Sequence, residues 1–467
     1  MNKTLPLWMT MSAVLWATGA TCAQGGIYRG PGNVVPLGLV PGRDGAVPVA
    51  ARVGISADLT QWQFWWEFNK ERFLYRRPGR EPVGGAGVRA RATAKDISDK
   101  ILPALVKPLE KKESSFIQSA CLLALAKIAR RVERPRLRKL FVDSLASRAQ
   151  RVREAAALAL GVATMSEAVL DLEALVHDTP RGHKLTGSAV VDERTRAFVC
   201  YSLGLIADRS PDLYVKRRVF KALHKVLKGE RSKSSFDIDV AAICGISILN
   251  ISKQESIVGN RELLEDVLEG LDEVHASSTL SADVRSHIPS AIAKLIGRGS
   301  SKVHERYKAA LLRTLQEKPT GNQAHRAAAL ALGQLAQPAE VNAEDLKIST
   351  GLHDHSKNGK DWQSSYLALI ALGQIGGKQN RDYLLKVLTT GKKVFERPWA
   401  AMALGEMEFR RRSANPQAGP DLEVGELLVA QLDTIRSPRS MAGGWWRRAP
   451  ASAAGRWTPA PGWRSRG

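Results

Sequence analysis

Histidines beside carboxylates, and two dense runs of lysine and arginine, are the residues of this 467-residue chain best equipped for chemistry. His353, Asp354 and His355 stand in a row. Imidazole nitrogen and carboxylate oxygen are good metal donors, but a site needs several of them converging from different directions. Three adjacent residues without a clear distant partner do not provide that. Their flanks, Gly351-Leu352 and SKNGKD, read as a loop between helices, so the expectation is a solvated loop and no metal. His304-Glu305 occurs as a single pair and reads as an exposed helix start. The chain has no GxSxG and no HExxH pattern, which removes the common serine-hydrolase and zinc-protease arrangements. GGAGVRA at 84–90 is not preceded by a strand pattern and is a poor match to a phosphate loop. No catalytic residue, metal or cofactor is expected.

The basic runs carry more. One is KIARRVERPRLRKL, with Lys127, Arg130, Arg131, Arg134, Arg136, Arg138 and Lys139. The other is VKRRVFKALHKVLKGERSK. On a helix, Arg217, Lys221, Lys225 and Lys228 share one face through spacings of three and four. Such a stripe would bind phosphates or carboxylates with strong salt dependence; it would equally serve as an ordinary solvated face. The net charge of +23 and pI near 10 point to an acidic partner without saying which. Trp62, Trp65 and Trp66 fall at helical spacing in TQWQFWWEFNKERFLY. They have two readings: a cap packed on the first repeat of an array, or an exposed anchor for a partner.

These residues need elements to hold them, and the sequence supplies a repeat. LLALAKI, AALALGV, CYSLGLI, ICGISIL, PSAIAKL, LALALGQL, LIALGQI and AMALGEM recur from about Asp96 onward. The small residue falls at Ala126, Gly161, Gly204, Ser247, Ala293, Gly333, Gly373 and Gly405, about 40 residues apart on average. Before each lies an amphipathic run, such as YVKRRVFKALHKVL or RYKAALLRTL, with apolar residues three and four apart. Small residues are expected where backbones approach, and the aliphatic positions fill a core running between units. A period near 40 with paired helices is the mark of an α-helical array. The expected fold is all-α, a right-handed α-solenoid of about eight helix pairs. Gly229, Pro338, Gly376 and Gly377 are placed to stop helices.

The units resemble HEAT repeats of the short bacterial kind, related to the phycobilisome-lyase type. The resemblance spans about 96 to 435. Such solenoids serve as scaffolds, adaptors and occasionally enzymes, so it implies a fold more than an activity. His304-Glu305 is similar to the pairs that recur in deoxyhypusine hydroxylase, a di-iron HEAT enzyme; here the pair stands once, and the carry-over fails. The head, GIYRGPG followed by QWQFWWEFNKERFLY, is similar to exported bacterial HEAT-repeat proteins of unassigned role.

Residues 1–23 read as a signal peptide: Lys3, an apolar stretch from Leu5 to Ala17, then Thr21-Cys22-Ala23 before Gln24. Residues 24–59 form a Gly/Pro-rich linker expected to be flexible, 60–77 the aromatic helix and 78–95 a second linker. Residues 96–435 form the array, and 436–467 a basic tail with seven Arg, four Trp and no acidic residue. That tail starts where the run LEVGELLVAQLDTI should gain a second helix; it reads as a shifted reading frame or as a natural basic tail. Cys121, Cys200 and Cys244 remain in the mature chain, too few and too far apart for a disulfide framework. The expected function is an exported, non-enzymatic scaffold, periplasmic or extracellular, whose curved surface binds a protein partner of acidic character. The alternatives are a charge-driven binder of polyanions, either nucleic acid or an anionic envelope polymer, and a lyase-like HEAT enzyme acting on a protein. No transmembrane segment is expected in the mature chain.

Overall fold

The computed structural model describes residues 92–129, 134–229, 235–251, 259–317, 322–393, 396–415 and 417–436. The expected signal peptide, the Gly/Pro-rich head, the aromatic stretch with Trp62, Trp65 and Trp66, and the tail beyond residue 436 lie outside these residues. Among the described residues the regular structure is helical, with no strand. None of these helices is long and apolar enough to cross a membrane.

The chain divides into two compact units at Ala163 and Thr164. In the first, a short turn at Ala94–Asp96 passes through a π-turn at Ile97–Ile101 into α1 (Leu102–Glu110). Thr93 and Asp96 close the start reciprocally, side chain to backbone in both directions. Next come α2 (Ser115–Ile128), α3 (Arg134–Ser144) and α4 (Gln150–Val162). Helices α2 and α4 carry the first two signatures and pack on each other; α1 lies on α2, and α3 on α4. Leu122, Leu125, Phe141, Leu145 and Leu160 form the core there, each buried because apolar residues recur on one helix face.

The second unit repeats that plan. Its helices are α5 (Val169–Val176), α6 (Pro180–Thr186), α7 (Glu193–Arg209), α8 (Leu213–Leu227), α9 (Phe236–Ser247), α10 (Asn260–Ala276) and α11 (Ala282–Arg285). They continue as α12 (Ile288–Ile296), α13 (Lys302–Gln316), α14 (Asn322–Leu335), α15 (Leu346–Asn358), α16 (Trp362–Ile375), α17 (Lys378–Thr390), α18 (Glu396–Ala414) and α19 (Leu422–Arg436). The signature helices α7, α9, α12, α14, α16 and α18 pack each on the next, and each also packs on the amphipathic helix before it. Gly229, Gly376 and Gly377 lie in the left-handed region after helices, where a side chain would be strained.

The small residues have a visible cause. A Cβ on Gly204 would come within 2.7 Å of the Gly245 Cα, and one on Gly333 within 2.7 Å of the Ala371 Cα. One on Gly373 would strike the backbone of Ala403. The fourth signature needs a correction. Ser247 is buried, but the close approach to α7 is made by Gly245, two residues earlier, against the Cys200 carbonyl. Gly245 is the residue whose missing side chain lets the two backbones meet. Cys121 and Cys200 are buried free thiols, and Cys244 is half-buried.

Candidate interaction surface

The basic run on α8 is largely occupied by the fold. Lys216, at its start, is buried and donates to the carbonyls of Ala207, Leu249 and Asn250 at 2.7, 2.8 and 2.9 Å. Those carbonyls lie at the C-terminal ends of α7 and α9, where helices run out of internal donors. Burial lowers the Lys216 pKa. Arg218 reaches back to Glu173 on α5 at 2.5 Å. Arg217 reaches forward to Asp266 on α10 at 3.1 Å, and Lys228 to Glu273 on α10, also at 3.1 Å. Two of the four stripe residues therefore face acids on the next amphipathic helix. Lys221 is exposed and Lys225 half-exposed, with no ion pair among the described residues. Arg217 and Lys228, though paired, stay 40% and 38% exposed, so all four stripe residues reach solvent. The acidic sequence of α10, RELLEDVLEGLDEVH, sits one repeat along and meets this run at Asp266 and Glu273.

The same logic recurs further along. Arg326 on α14 donates twice to Asp361, at 2.8 and 3.0 Å, and Asp361 caps α16 by accepting from the Ser364 backbone. Burial alone would raise the Asp361 pKa, but these bonds hold it below the usual carboxylate range. Arg381 on α17 grips Asp421, which accepts from the Val424 backbone at the start of α19. Each arginine thus pins the capping residue of a later helix. The deepest pair is Lys308 with Asp345, 1% and 0% exposed and 2.8 Å apart. Lys308 also donates to the Gly299 carbonyl, and Asp345 accepts from the Gln337 backbone.

The His353-Asp354-His355 run lies inside α15, not in a loop. Ile348, Leu352 and His355 recur on its buried side, and the helix ends only at Gly359. His355 is bonded to the Ser364 hydroxyl at 2.8 Å and stands edge-on to His325, with centroids 5.1 Å apart. Burial, then the neighbouring His325, lowers the His355 pKa. His353 pairs with the Asn380 side chain at 3.1 Å and stacks on Tyr383; burial lowers its pKa as well. Among the described residues no three His, Cys, Asp or Glu side chains gather as a metal site would require. His304 sits in the first turn of α13, as expected of a helix start, but half-buried, with its ring nitrogens near the Ser301 hydroxyl and the Ile296 carbonyl.

One surface was not singled out by the sequence. At the starts of α16 and α18, Trp362, Tyr366 and Trp399 form a run of rings. Trp362 and Tyr366 have centroids 5.7 Å apart, and Tyr366 stacks on Trp399 at 5.9 Å. Trp362 is 37% exposed and Met402, one turn beyond Trp399, is 49% exposed. The turns leading into these helices carry Lys360, Lys392 and Lys393, all exposed. The Lys393 ammonium donates to the Lys357 carbonyl at the end of α15, which joins the two turns. A signal existed in the sequence: Trp362 and Tyr366 stand four apart directly after a lysine-bearing turn.

The chain matches no known family model and no curated protein.

Proposed function

We propose that the chain is an exported helical-repeat scaffold that binds a protein partner. The reading takes the helix pairs as HEAT-like units of a right-handed α-solenoid. The observation that carries it is the regular stacking of signature helices, in which Gly204, Gly333 and Gly373 each abut the next helix. Regular stacking of this kind builds a long surface from many short segments, and it needs no catalytic constellation. Export rests on the charge, apolar stretch and small residues of the first 23 positions. The interior use of cations in residues 164–436 favours recognition by local shape and charge over a continuous electropositive face there.

A specific observation also favours polyanion binding at the other unit. Residues 94–163 carry 15 basic and 7 acidic side chains, an imbalance suited to phosphates or anionic polymers. Crosslinking in the native cell envelope, with a tag placed after residue 23, tests both. One dominant protein recovered at low and high salt supports the scaffold. Recovery of nucleic acid or acidic polymer alone, lost at high salt, overturns it in favour of charge-driven binding.

A further inference from the structure

We propose that the ring-and-lysine surface at the starts of α16 and α18 binds a short acidic peptide segment carrying one apolar anchor. The inference rests on the scaffold reading and names the chemistry of its partner. Trp362 and Met402 offer exposed apolar area on neighbouring signature helices, and Tyr366 links Trp362 to Trp399, one turn before Met402. Rings held this way lose little freedom on binding, which is why aromatic residues dominate interface energetics. Lys360 stands two residues before Trp362; Lys392 and Lys393 precede α18. Lys360 and Lys392 form no ion pair among the described residues, and Lys393 lies 3.4 Å from Glu396. Asp361 is already held by Arg326, and Glu396 is turned onto the Lys392 and Lys393 backbone amides, leaving the Lys360 and Lys392 ammonium groups uncompensated among the described residues. Local positive charge therefore flanks an apolar centre on two sides.

The extent of the charge selects the partner. Residues 164–436 hold 37 basic and 34 acidic side chains, and many of the cations are engaged between helices. A nucleic acid or a lipid surface draws on charge spread over many residues. A peptide needs only a few lysines beside an apolar socket, and carboxylates meeting ammonium groups fix its orientation.

The test uses the full chain and a fluorescein-labelled probe: a central phenylalanine between two short runs of glutamate. Anisotropy should show saturable binding, weakened roughly tenfold when the probe's phenylalanine becomes serine. Trp362→Ala should weaken it by a similar factor. Lys360→Glu combined with Lys392→Glu, both exposed, should weaken it and flatten its salt dependence without changing the circular dichroism spectrum. Lys184→Glu with Lys302→Glu, both exposed on other helices, should leave it unchanged. Equal affinity for the serine probe, or insensitivity to both the Trp362 and the lysine variants, overturns the proposal. So does binding of an oligonucleotide or of phosphatidylglycerol vesicles that requires the same side chains. Envelope crosslinking with the Trp362→Ala chain separates the two readings: a partner captured undiminished sinks the peptide site and leaves the scaffold standing, whereas no protein captured by the unaltered chain sinks the scaffold.

Discussion

The two units are built from the same helix pairs, yet they differ in how far their charges balance. In residues 164–436 basic and acidic side chains nearly balance, and the cations hold one helix to another: Lys216 caps two helices, Lys308 is buried against Asp345, and Arg326 and Arg381 pin capping aspartates. In residues 94–163 cations outnumber carboxylates about two to one, and several stay at the surface. Lys111, Lys112 and Arg148 are exposed at the turns into α2 and α4, and the Arg151 guanidinium stands 3.6 Å over the ring of Phe116, itself 53% exposed. Net charge summed over a chain therefore says little about its surface. A buried cation whose partner lies one repeat away, such as Lys308, stabilises the fold and is lost to outside ligands.

The comparison can be broken most severely at Lys308. Asp345→Ala leaves the buried Lys308 ammonium with only the partly exposed Glu305 as counter-charge and should cost up to roughly 3–5 kcal/mol in urea unfolding. Replacing both residues together, Lys308→Met with Asp345→Leu, should recover most of that; a small loss in the single variant would mean the pair is not structural. Backbone contact comes next. Gly373→Val forces a side chain into the Ala403 backbone and should cost at least about 1–3 kcal/mol. Gly405→Ala has nothing within 4 Å of its new Cβ and should be neutral or stabilising by up to about 1 kcal/mol. Equal losses at both positions would contradict close stacking as the reason for glycine.

Acid should act on residues 164–436 selectively. His353 and His355 have folded-state pKa values below their ordinary value, so the unfolded chain binds more protons over the interval between folded and unfolded values. Stability is then full above about pH 6.5 and declines as pH falls through that interval. Asp361, also lowered, adds a loss at still lower pH. Thermal unfolding followed from about pH 7.5 to about pH 5 should show the decline, and His355→Gln should reduce it; a flat profile would remove the buried histidines from the account. The smallest effect is expected in residues 94–163. Lys139 and Asp143 pair at 2.7 Å but are both mostly exposed, so Lys139→Ala should cost only about 0.3–0.5 kcal/mol, while lowering affinity for heparin used as a polyanion probe. A loss comparable to that of Asp345→Ala would erase the distinction between the units.

The helix pairs are legible in the sequence because their cause is local and periodic. An apolar residue every three or four positions makes one buried face, and glycine at the recurring place marks where backbones meet at Gly204, Gly333 and Gly373, though not at Gly405. The signatures thus locate α2, α4, α7, α9, α12, α14, α16 and α18. Sequence and structure part where two local patterns compete. SKNGKD carries loop residues, which suggests too early an end for α15; His353 and His355 are helical because Ile348 and Leu352 set the buried side. At the fourth signature, two small residues stand two apart, and only the approach of α7 distinguishes Gly245 from Ser247.

Sequence by itself determined the all-helical class, the repeat spacing and the stopping glycines, since each depends on residues close together in the chain. Tertiary structure alone decided what the charges do. Arg217 and Asp266, Lys216 and Leu249, Lys308 and Asp345 are 49, 33 and 37 positions apart, roughly one repeat in each case, and an ion pair is selected by distance in space. The aromatic surface at Trp362 and Trp399 arose the same way, from two distant helix starts brought side by side by the packing of α16 on α18.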